Sequence, residues 1–191
     1  MRTMGVKRGA QSLIVRDVFL VLVFAVNLLI VGCAINMDGW YYNSGNKYYD
    51  KGEYDKAIET YTKAIELNLD DQRSYYIRRG NSYSKIGEFD RAIDDFSKAI
   101  QIKSNDTIAI YNRGLAYVEK GTFDRAIDDF TGVTRIVPDD AEAYYQKALA
   151  CEQAGRIAEA LEAYKSTIQH ALPEHEVYVE HAKKRITELE K

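Results

Sequence analysis

The stretch GEFDRAIDDFSKAI, residues 87–100, recurs three more times along the chain with nearly the same residue types. The matching segments are GEYDKAIETYTKAI at 52–65, GTFDRAIDDFTGVT at 121–134 and GRIAEALEAYKSTI at 155–168. Their first residues lie 35, 34 and 34 positions apart. A fixed period of this length indicates that one supersecondary unit is repeated and stacked along the chain.

Each copy places small and aromatic residues at helical spacing. Ala57, Tyr61 and Ala64 follow one another at i, i+4 and i+7, which is one stripe of an α-helix. A second stripe, from Tyr41 through Gly45, precedes the first copy. Between the two stripes stands a glycine, a residue that can adopt positive φ and end the first helix. The glycine column is Gly52, Gly87, Gly121 and Gly155, and the aromatic column is Tyr61, Phe96, Phe130 and Tyr164.

These columns resemble the tetratricopeptide repeat, whose period is 34 residues. The resemblance covers about seven-tenths of the chain and implies antiparallel helix pairs stacked into a right-handed superhelix. It predicts an all-α solenoid of four helix-turn-helix repeats, because a single amphipathic pair cannot bury both of its faces alone. The predicted repeats span 38–72, 73–106, 107–140 and 141–172.

The last segment, 173–191, is predicted to be a capping helix over the open end of the stack. Pro173 suits the first position of a helix. One apolar stripe follows it, with charged residues elsewhere, which is the pattern of a helix that covers a terminal repeat. The stripe consists of Tyr178, Ala182, Ile186 and Leu189.

The N-terminal segment 1–32 is predicted to be a lipoprotein-type signal peptide. Val18–Val31 is an apolar run of 14 residues preceded by four basic residues, and Asn27 is its polar interruption. The run ends in Ile-Val-Gly-Cys at 30–33, which resembles the bacterial lipobox. That resemblance implies diacylglycerol on Cys33, cleavage before it and acylation of the new amino terminus.

An uncleaved membrane anchor is the alternative for the same segment. The stretch 18–35 would span about 27 Å as a helix, which is short for a hydrocarbon core of about 30 Å. In both cases the basic leader stays in the cytoplasm, so the repeats are expected on the periplasmic face. Ala34 after the cysteine resembles an outer-membrane sorting signal if the cell has two membranes. The tether 33–37 is short, so the aromatic start of the domain, with Trp40, is expected at the bilayer.

No chemistry of catalysis is visible in the rest of the chain. From Cys33 onward the net charge is −6, because the first 32 residues carry +3 of the total of −3, so nucleic acid is not expected as a partner. The three histidines, His170, His175 and His181, lack the i, i+4 spacing of a zinc helix. Cys151 occupies a core column. We therefore expect no enzyme activity, no metal, no cofactor and no small-molecule substrate.

A second stripe on the first helix of each repeat is the predicted peptide-binding groove. By the resemblance, its residues line the concave face, where amides can bond a peptide backbone while aromatic and leucine side chains receive its side chains. Packing between neighbouring helices is the alternative use of the aromatic positions. The predicted groove residues are Tyr42, Asn43, Asn46, Ile77, Arg78, Asn81, Tyr111, Asn112, Leu115, Tyr145, Gln146 and Leu149.

The sequence therefore favours a membrane-tethered adaptor that mediates protein–protein interaction in the bacterial cell envelope, as an assembly or recruitment factor. The tether is either lipidated Cys33 or an uncleaved helix at 18–35, and the partner is a protein or peptide in the concave groove. Two alternatives remain: a self-assembling structural protein whose stack continues between chains, and a single-pass inner-membrane-anchored repeat protein.

Overall fold

The computed structural model describes residues 37, 39–67 and 71–191. This part of the chain is helical and contains no strand, as the sequence predicts. The helices are α1 (39–50), α2 (Tyr54–Glu66), α3 (Gln72–Lys85), α4 (Phe89–Ile102), α5 (Thr107–Glu119), α6 (Phe123–Ile136), α7 (Ala141–Gln153), α8 (Ile157–His170) and α9 (Glu176–Leu189). A 3-10 turn at Pro173–His175 leads into α9.

The glycine of each repeat makes the turn between its two helices. Gly52, Gly87, Gly121 and Gly155 have φ values of 76°, 79°, 69° and 73°. Side chains with a Cβ rarely adopt this left-handed conformation, which explains why glycine recurs there. In the first repeat the turn is closed by backbone bonds of 2.9 Å, from Gly52 N to Tyr49 O and from Glu53 N to Tyr48 O. The predicted role of these glycines is confirmed.

An aspartate starts the first helix of repeats two, three and four. The side chains of Asp71, Asp106 and Asp140 accept hydrogen bonds from the backbone N–H groups of residues 74, 109 and 143, at 3.2, 3.0 and 2.9 Å. Each bond satisfies one of the N–H groups that the first turn of a helix leaves without a partner.

The core is a row of aromatic rings, one in the second helix of each repeat. Tyr61, Phe96, Phe130 and Tyr164 are fully buried. In the first three repeats the ring packs against a glycine on the preceding helix. A Cβ on Gly80 would lie 2.8 Å from Phe96 Cε1, and one on Gly114 would lie 2.9 Å from Phe130 Cε1. Because these glycines carry no side chain, the two helices of a repeat can approach until the ring touches the backbone.

Two largely buried ion pairs join the helices of repeats two and three. Arg79 donates to the Asp95 carboxylate through Nε at 2.7 Å and Nη2 at 2.8 Å. Its remaining Nη1 donates to Thr62 Oγ1 at 2.9 Å, in the repeat before. Arg113 and Asp129 repeat this geometry one period later. Each arginine therefore bonds the second helix of its own repeat and, through Nη1, that of its predecessor.

The predicted capping helix is confirmed, and α9 packs on α8 and α7 as the first helix of a further repeat would. Ala182 is buried, and the Tyr178 ring stacks on Tyr145 at 4.6 Å between centroids. The outer face carries exposed charge, including Lys183 and Lys184. A polar outer face is what a terminal repeat needs in order to meet water instead of another repeat.

Glu152 and Arg185 fasten α9 to the stack. The Glu152 carboxylate accepts hydrogen bonds from Arg185 Nε at 3.1 Å and from Tyr164 Oη at 3.0 Å. Burial raises the pKa of Glu152, but the bonds from Arg185 and Tyr164 outweigh it, so the pKa lies below its usual value.

This lowered pKa predicts that acid weakens the attachment of α9. A carboxyl group whose pKa is lower in the folded than in the unfolded state stabilises the protein at pH values above the unfolded pKa of about 4.3. This contribution is lost as the pH falls through the folded pKa. We expect Glu152→Gln to melt below wild type at pH 7, and the difference to vanish when both melt at a pH well under 4. Parallel thermal melts measure this. A difference that stays constant across the pH range would contradict the assigned ion pair.

The predicted signal segment 1–32, Cys33 and the tether up to residue 36 lie outside the described residues. Of the helices in the described part of the chain, none has the length and apolar character needed to cross a bilayer. Trp40, at the start of α1, is exposed and meets the Tyr41 ring edge-on at 4.9 Å between centroids.

Candidate functional site: the concave groove

The first helices of successive repeats stand side by side and form one face of the stack. Besides packing on the second helices, α3 contacts α5, and α5 contacts α7. Between α1, α3 and α5 lies an open cavity of about 460 Å³. Its lining residues are Tyr49, Asn81, Ser84, Lys85, Phe89, Phe96, Asn112, Leu115, Ala116 and Glu119.

Two asparagine amides meet in the wall of this cavity. Asn112 Nδ2 donates to Asn81 Oδ1 at 3.1 Å, which joins α5 to α3. Nothing among the described residues accepts a hydrogen bond from the amide nitrogen of Asn81, and both side chains are half-buried. The pair thus presents donor and acceptor groups whose orientation the mutual bond already fixes. Amides held in this way suit the backbone of an extended peptide.

The floor and rim of the cavity differ in chemistry. Phe96 and Ala116 are buried, and Leu115 and Phe89 are half-buried, so the floor is apolar. Lys85 and Glu119 stand exposed at the rim with opposite charges. The cavity therefore combines an apolar floor with a polar wall and rim, so it offers both apolar contacts and hydrogen-bonding groups to a ligand.

The structure brings three of the predicted groove residues together at this cavity: Asn81, Asn112 and Leu115. In the first repeat, two others are engaged with neighbours. Tyr42 Oη receives a hydrogen bond from Arg78 Nη2 at 3.1 Å, and Asn46 Oδ1 receives one from Tyr61 Oη at 2.7 Å. Asn43, which lies near the start of α1, is exposed.

Ile77 differs from its sequence assignment. It is 7% exposed and packs with Ala92, Phe96 and Ala109, so its side chain belongs to the core. The cause is geometric. Helix α3 packs against α2, α4 and α5, so a residue beside its buried stripe can point between two of these helices and not into the groove. Tyr111 is in part a packing residue as well, because its ring meets Phe130 edge-on at 5.6 Å.

The fourth-repeat end of the groove is covered by α9. The Tyr145 ring stacks on Tyr178, and its hydroxyl lies 3.1 Å from His181 Nδ1. Leu149 packs against the same core cluster, and Gln146 is half-buried. The accessible part of the groove therefore lies in repeats one to three.

A partly buried acid–phenol contact bounds the accessible part on that side. Tyr111 Oη donates to Glu142 Oε1 at 2.8 Å, and Tyr178 Oη approaches the same oxygen at 3.5 Å. Burial, aided by the bond to Glu142, raises the pKa of Tyr111, so the phenol stays protonated and keeps donating.

Several lining residues were not among the predicted site residues. Tyr49 and Ser84 follow Asn46 and Asn81 by one helical turn, so the same stripe contained them. Lys85 and Glu119 lie near the turn between the two helices of a repeat, and no periodic column marks them. Phe89 does stand in a column, with Tyr54, Phe123 and Ile157, which the predicted groove did not include.

The histidines and the buried cysteine serve packing in the described residues. His170 stacks on Tyr144 at 5.3 Å, and His175 Nδ1 accepts from the backbone of Leu172 at 3.1 Å. No cluster of three or more potential metal-ligating side chains occurs within residues 39–67 and 71–191. Burial raises the pKa of the Cys151 thiol, which disfavours the reactive thiolate.

The fold and the groove together define an α-solenoid scaffold for protein–protein interaction. Tetratricopeptide repeat family models match residues 40–71, 74–106 and 111–174, about two thirds of the chain. The chain belongs to the tetratricopeptide repeat family. A comparison with curated proteins finds no match.

Solved structures share this architecture. YrrB, described as a tetratricopeptide protein with an unusual peptide-binding site, is 27% identical with a TM-score of 0.66, covering 75% of this chain and 73% of its own. MamA 41-end from Desulfovibrio magneticus RS-1 is 19% identical with a TM-score of 0.68, covering 80% and 93%. The first repeat domain of Spaghetti (RPAP3), bound to an HSP90 peptide, is 22% identical with a TM-score of 0.57, covering 63% and 94%.

Proposed function

We propose that this protein is a membrane-tethered adaptor that binds an extended segment of a partner protein in the cavity between α1, α3 and α5. The observation that carries the proposal is the pair Asn81–Asn112, which is fixed by a hydrogen bond of 3.1 Å above an apolar floor. Such a site can bond a peptide backbone without regard to sequence, while Leu115 and Phe89 receive apolar side chains. YrrB, with its described peptide-binding site, supports peptide binding on this fold.

The charged groups near the groove do not form a clamp for a C-terminal carboxylate. Arg78 bonds Tyr42 Oη and lies over the Tyr42 ring, with 5.6 Å from Cζ to the ring centroid. The equivalent position in the next repeat holds Asn112, and Lys85 stands at the rim. An internal extended segment therefore fits this groove better than a chain terminus.

Replacing both amides with alanine is expected to abolish partner capture. A photo-crosslinking amino acid at Ser84, in the cavity wall, should capture a partner in intact cells, identified by mass spectrometry. In the Asn81→Ala/Asn112→Ala background this capture should disappear, because the two side-chain amides that bond the backbone of the bound segment are removed. Both side chains are half-buried, and their mutual bond contributes only about 1 kcal/mol, so the domain stays folded.

The matched control is Asp94→Ala/Asp128→Ala. These two aspartates are exposed on the second helices, also one period apart. Capture that survives the amide variant, or that is lost equally in the control, would contradict the groove assignment. Crosslinks between two copies of this chain would instead support the self-assembling alternative.

The membrane tether is a second, separable part of the proposal. The apolar run before Cys33 and the motif around it support a lipid-anchored protein in the cell envelope, on the periplasmic side. Labelled fatty acid should enter the wild-type chain and not the Cys33→Ser variant. Incorporation that is absent from both, with the chain still sedimenting with membranes, would favour an uncleaved anchor at 18–35.

A further inference from the structure

The exposed large apolar side chains are concentrated on one edge of the solenoid. In the described residues there are ten of them, and eight lie where first helices begin or second helices end. We call these eight the apolar edge: Met37, Trp40, Leu67, Ile102, Ile108, Ile136, Leu172 and Val177. The other two, Ile86 and Ile157, lie at the opposite edge, where first helices end and second helices begin.

The hairpin topology explains why these positions share an edge. The two helices of a repeat are antiparallel, so the N-terminus of the first and the C-terminus of the second meet on the same side. Ile102 ends α4 and Ile108 follows the start of α5, so both stand at one inter-repeat loop. Scattered apolar residues are ordinary on a protein surface, but their accumulation on one side of a repeat array is not.

The polypeptide enters the domain from this same edge. Met37 and Trp40 begin α1, and the apolar run of residues 18–35 precedes them directly in the sequence. Tryptophan side chains are favoured at the boundary between lipid and water. The preceding segment therefore indicates which surface covers the edge.

We propose that the apolar edge lies on the surface of the lipid bilayer, so that the solenoid rests along the membrane with its opposite edge toward water. This rests on the membrane tether proposed above. Because the tether holds the domain at the bilayer, a few apolar contacts suffice to orient it. The exposed ionisable residues beside the edge have both signs, among them Glu66, Lys103, Arg135, Asp139 and Glu174, so the contact rests on the apolar side chains and does not need anionic lipid.

The test uses the one tryptophan of the chain as a depth probe. The full chain is reconstituted in phosphatidylcholine vesicles whose acyl chains are brominated near the headgroup, where bromine quenches tryptophan at the interface. In a Trp40→Phe background, Ile136→Trp reports on the apolar edge and Ile157→Trp on the opposite edge. The two isoleucines are matched, with exposures of 40% and 38% at helix ends. We expect loss of emission at 136 and unchanged emission at 157.

Each other outcome overturns the orientation. Equal quenching at 136 and 157 would show that neither edge is preferred. Quenching of native Trp40 with none at 136 would show that the solenoid stands away from the bilayer on its first helix. A chain that fails to float with the vesicles would lose the tether itself, which is a result distinct from both. Contact between two copies through this edge would shield position 136 from bromine, so quenching there would appear only when the protein is diluted in the vesicles.

Discussion

Asp95→Ala is expected to destabilise the domain by about 3 kcal/mol, because it leaves the Arg79 guanidinium buried without its counter-ion. The side chains of Arg79 and Asp95 are 13% and 3% exposed. In the native chain burial lowers the pKa of Arg79, but the hydrogen bonds and charge of Asp95 outweigh it and raise the pKa. The variant loses this compensation, yet the guanidinium stays charged because arginine is not deprotonated in proteins. Urea unfolding followed by far-UV circular dichroism measures the loss.

The neighbouring substitution Asp94→Ala is the control, because Asp94 is exposed on the same helix. It should change the free energy of unfolding by no more than about 0.5 kcal/mol. The double variant Arg79→Leu/Asp95→Leu should recover most of the lost stability, since no buried charge then remains. Equal effects of Asp94→Ala and Asp95→Ala would refute a structural role for the pair.

The second large effect is a reversal of sign at Gly114. In the native chain, Gly114→Ala would bring a Cβ to 2.9 Å from Phe130 Cε1, and overpacking of this kind costs about 1–3 kcal/mol. Phe130→Ala alone should cost about 3–5 kcal/mol, because the ring is fully buried. In the Phe130→Ala background, however, Gly114→Ala should stabilise by about 1 kcal/mol, since the ring is gone and alanine is the better helix former.

The free energies of unfolding of the wild type, Gly114→Ala, Phe130→Ala and the double variant form a complete thermodynamic cycle. Gly121→Ala is a contrasting control: a Cβ there meets open space, but the φ of 69° strains any residue with a side chain. Its penalty should therefore be the same with and without Phe130. A Gly114 effect of the same sign in both backgrounds would show that the ring does not require the glycine.

The sequence predicted the features that recur in register and missed those that depend on how repeats meet. The glycine turn and the buried ring stand in every repeat, so their periodicity was visible and their roles are confirmed. The Arg79–Asp95 pair spans 16 positions across a hairpin. Its recurrence at Arg113 and Asp129 was present in the sequence, but only the packing of three helices shows that one arginine can reach both neighbours.

The groove was predicted less completely, for a physical reason. A first helix contacts its own partner and the helices before and after it, so little separates a residue that faces the cavity from one that faces a neighbour. Ile77 and Asn81 lie one turn apart, yet the first is core and the second lines the cavity. At Tyr145 the deciding neighbour is α9, whose exact position the period of the repeats does not specify.

The cavity is shared by three successive repeats, and this has a consequence for how the array loses order. Hairpins that touch only their nearest neighbours can peel away one at a time from either end. A guest segment lying across Tyr49, Asn81 and Glu119 touches α1, α3 and α5 at once. Such a guest would make the first three hairpins open together, so a bound segment is expected to slow fraying from the N-terminal end of the array and to leave opening from the α9 end unchanged.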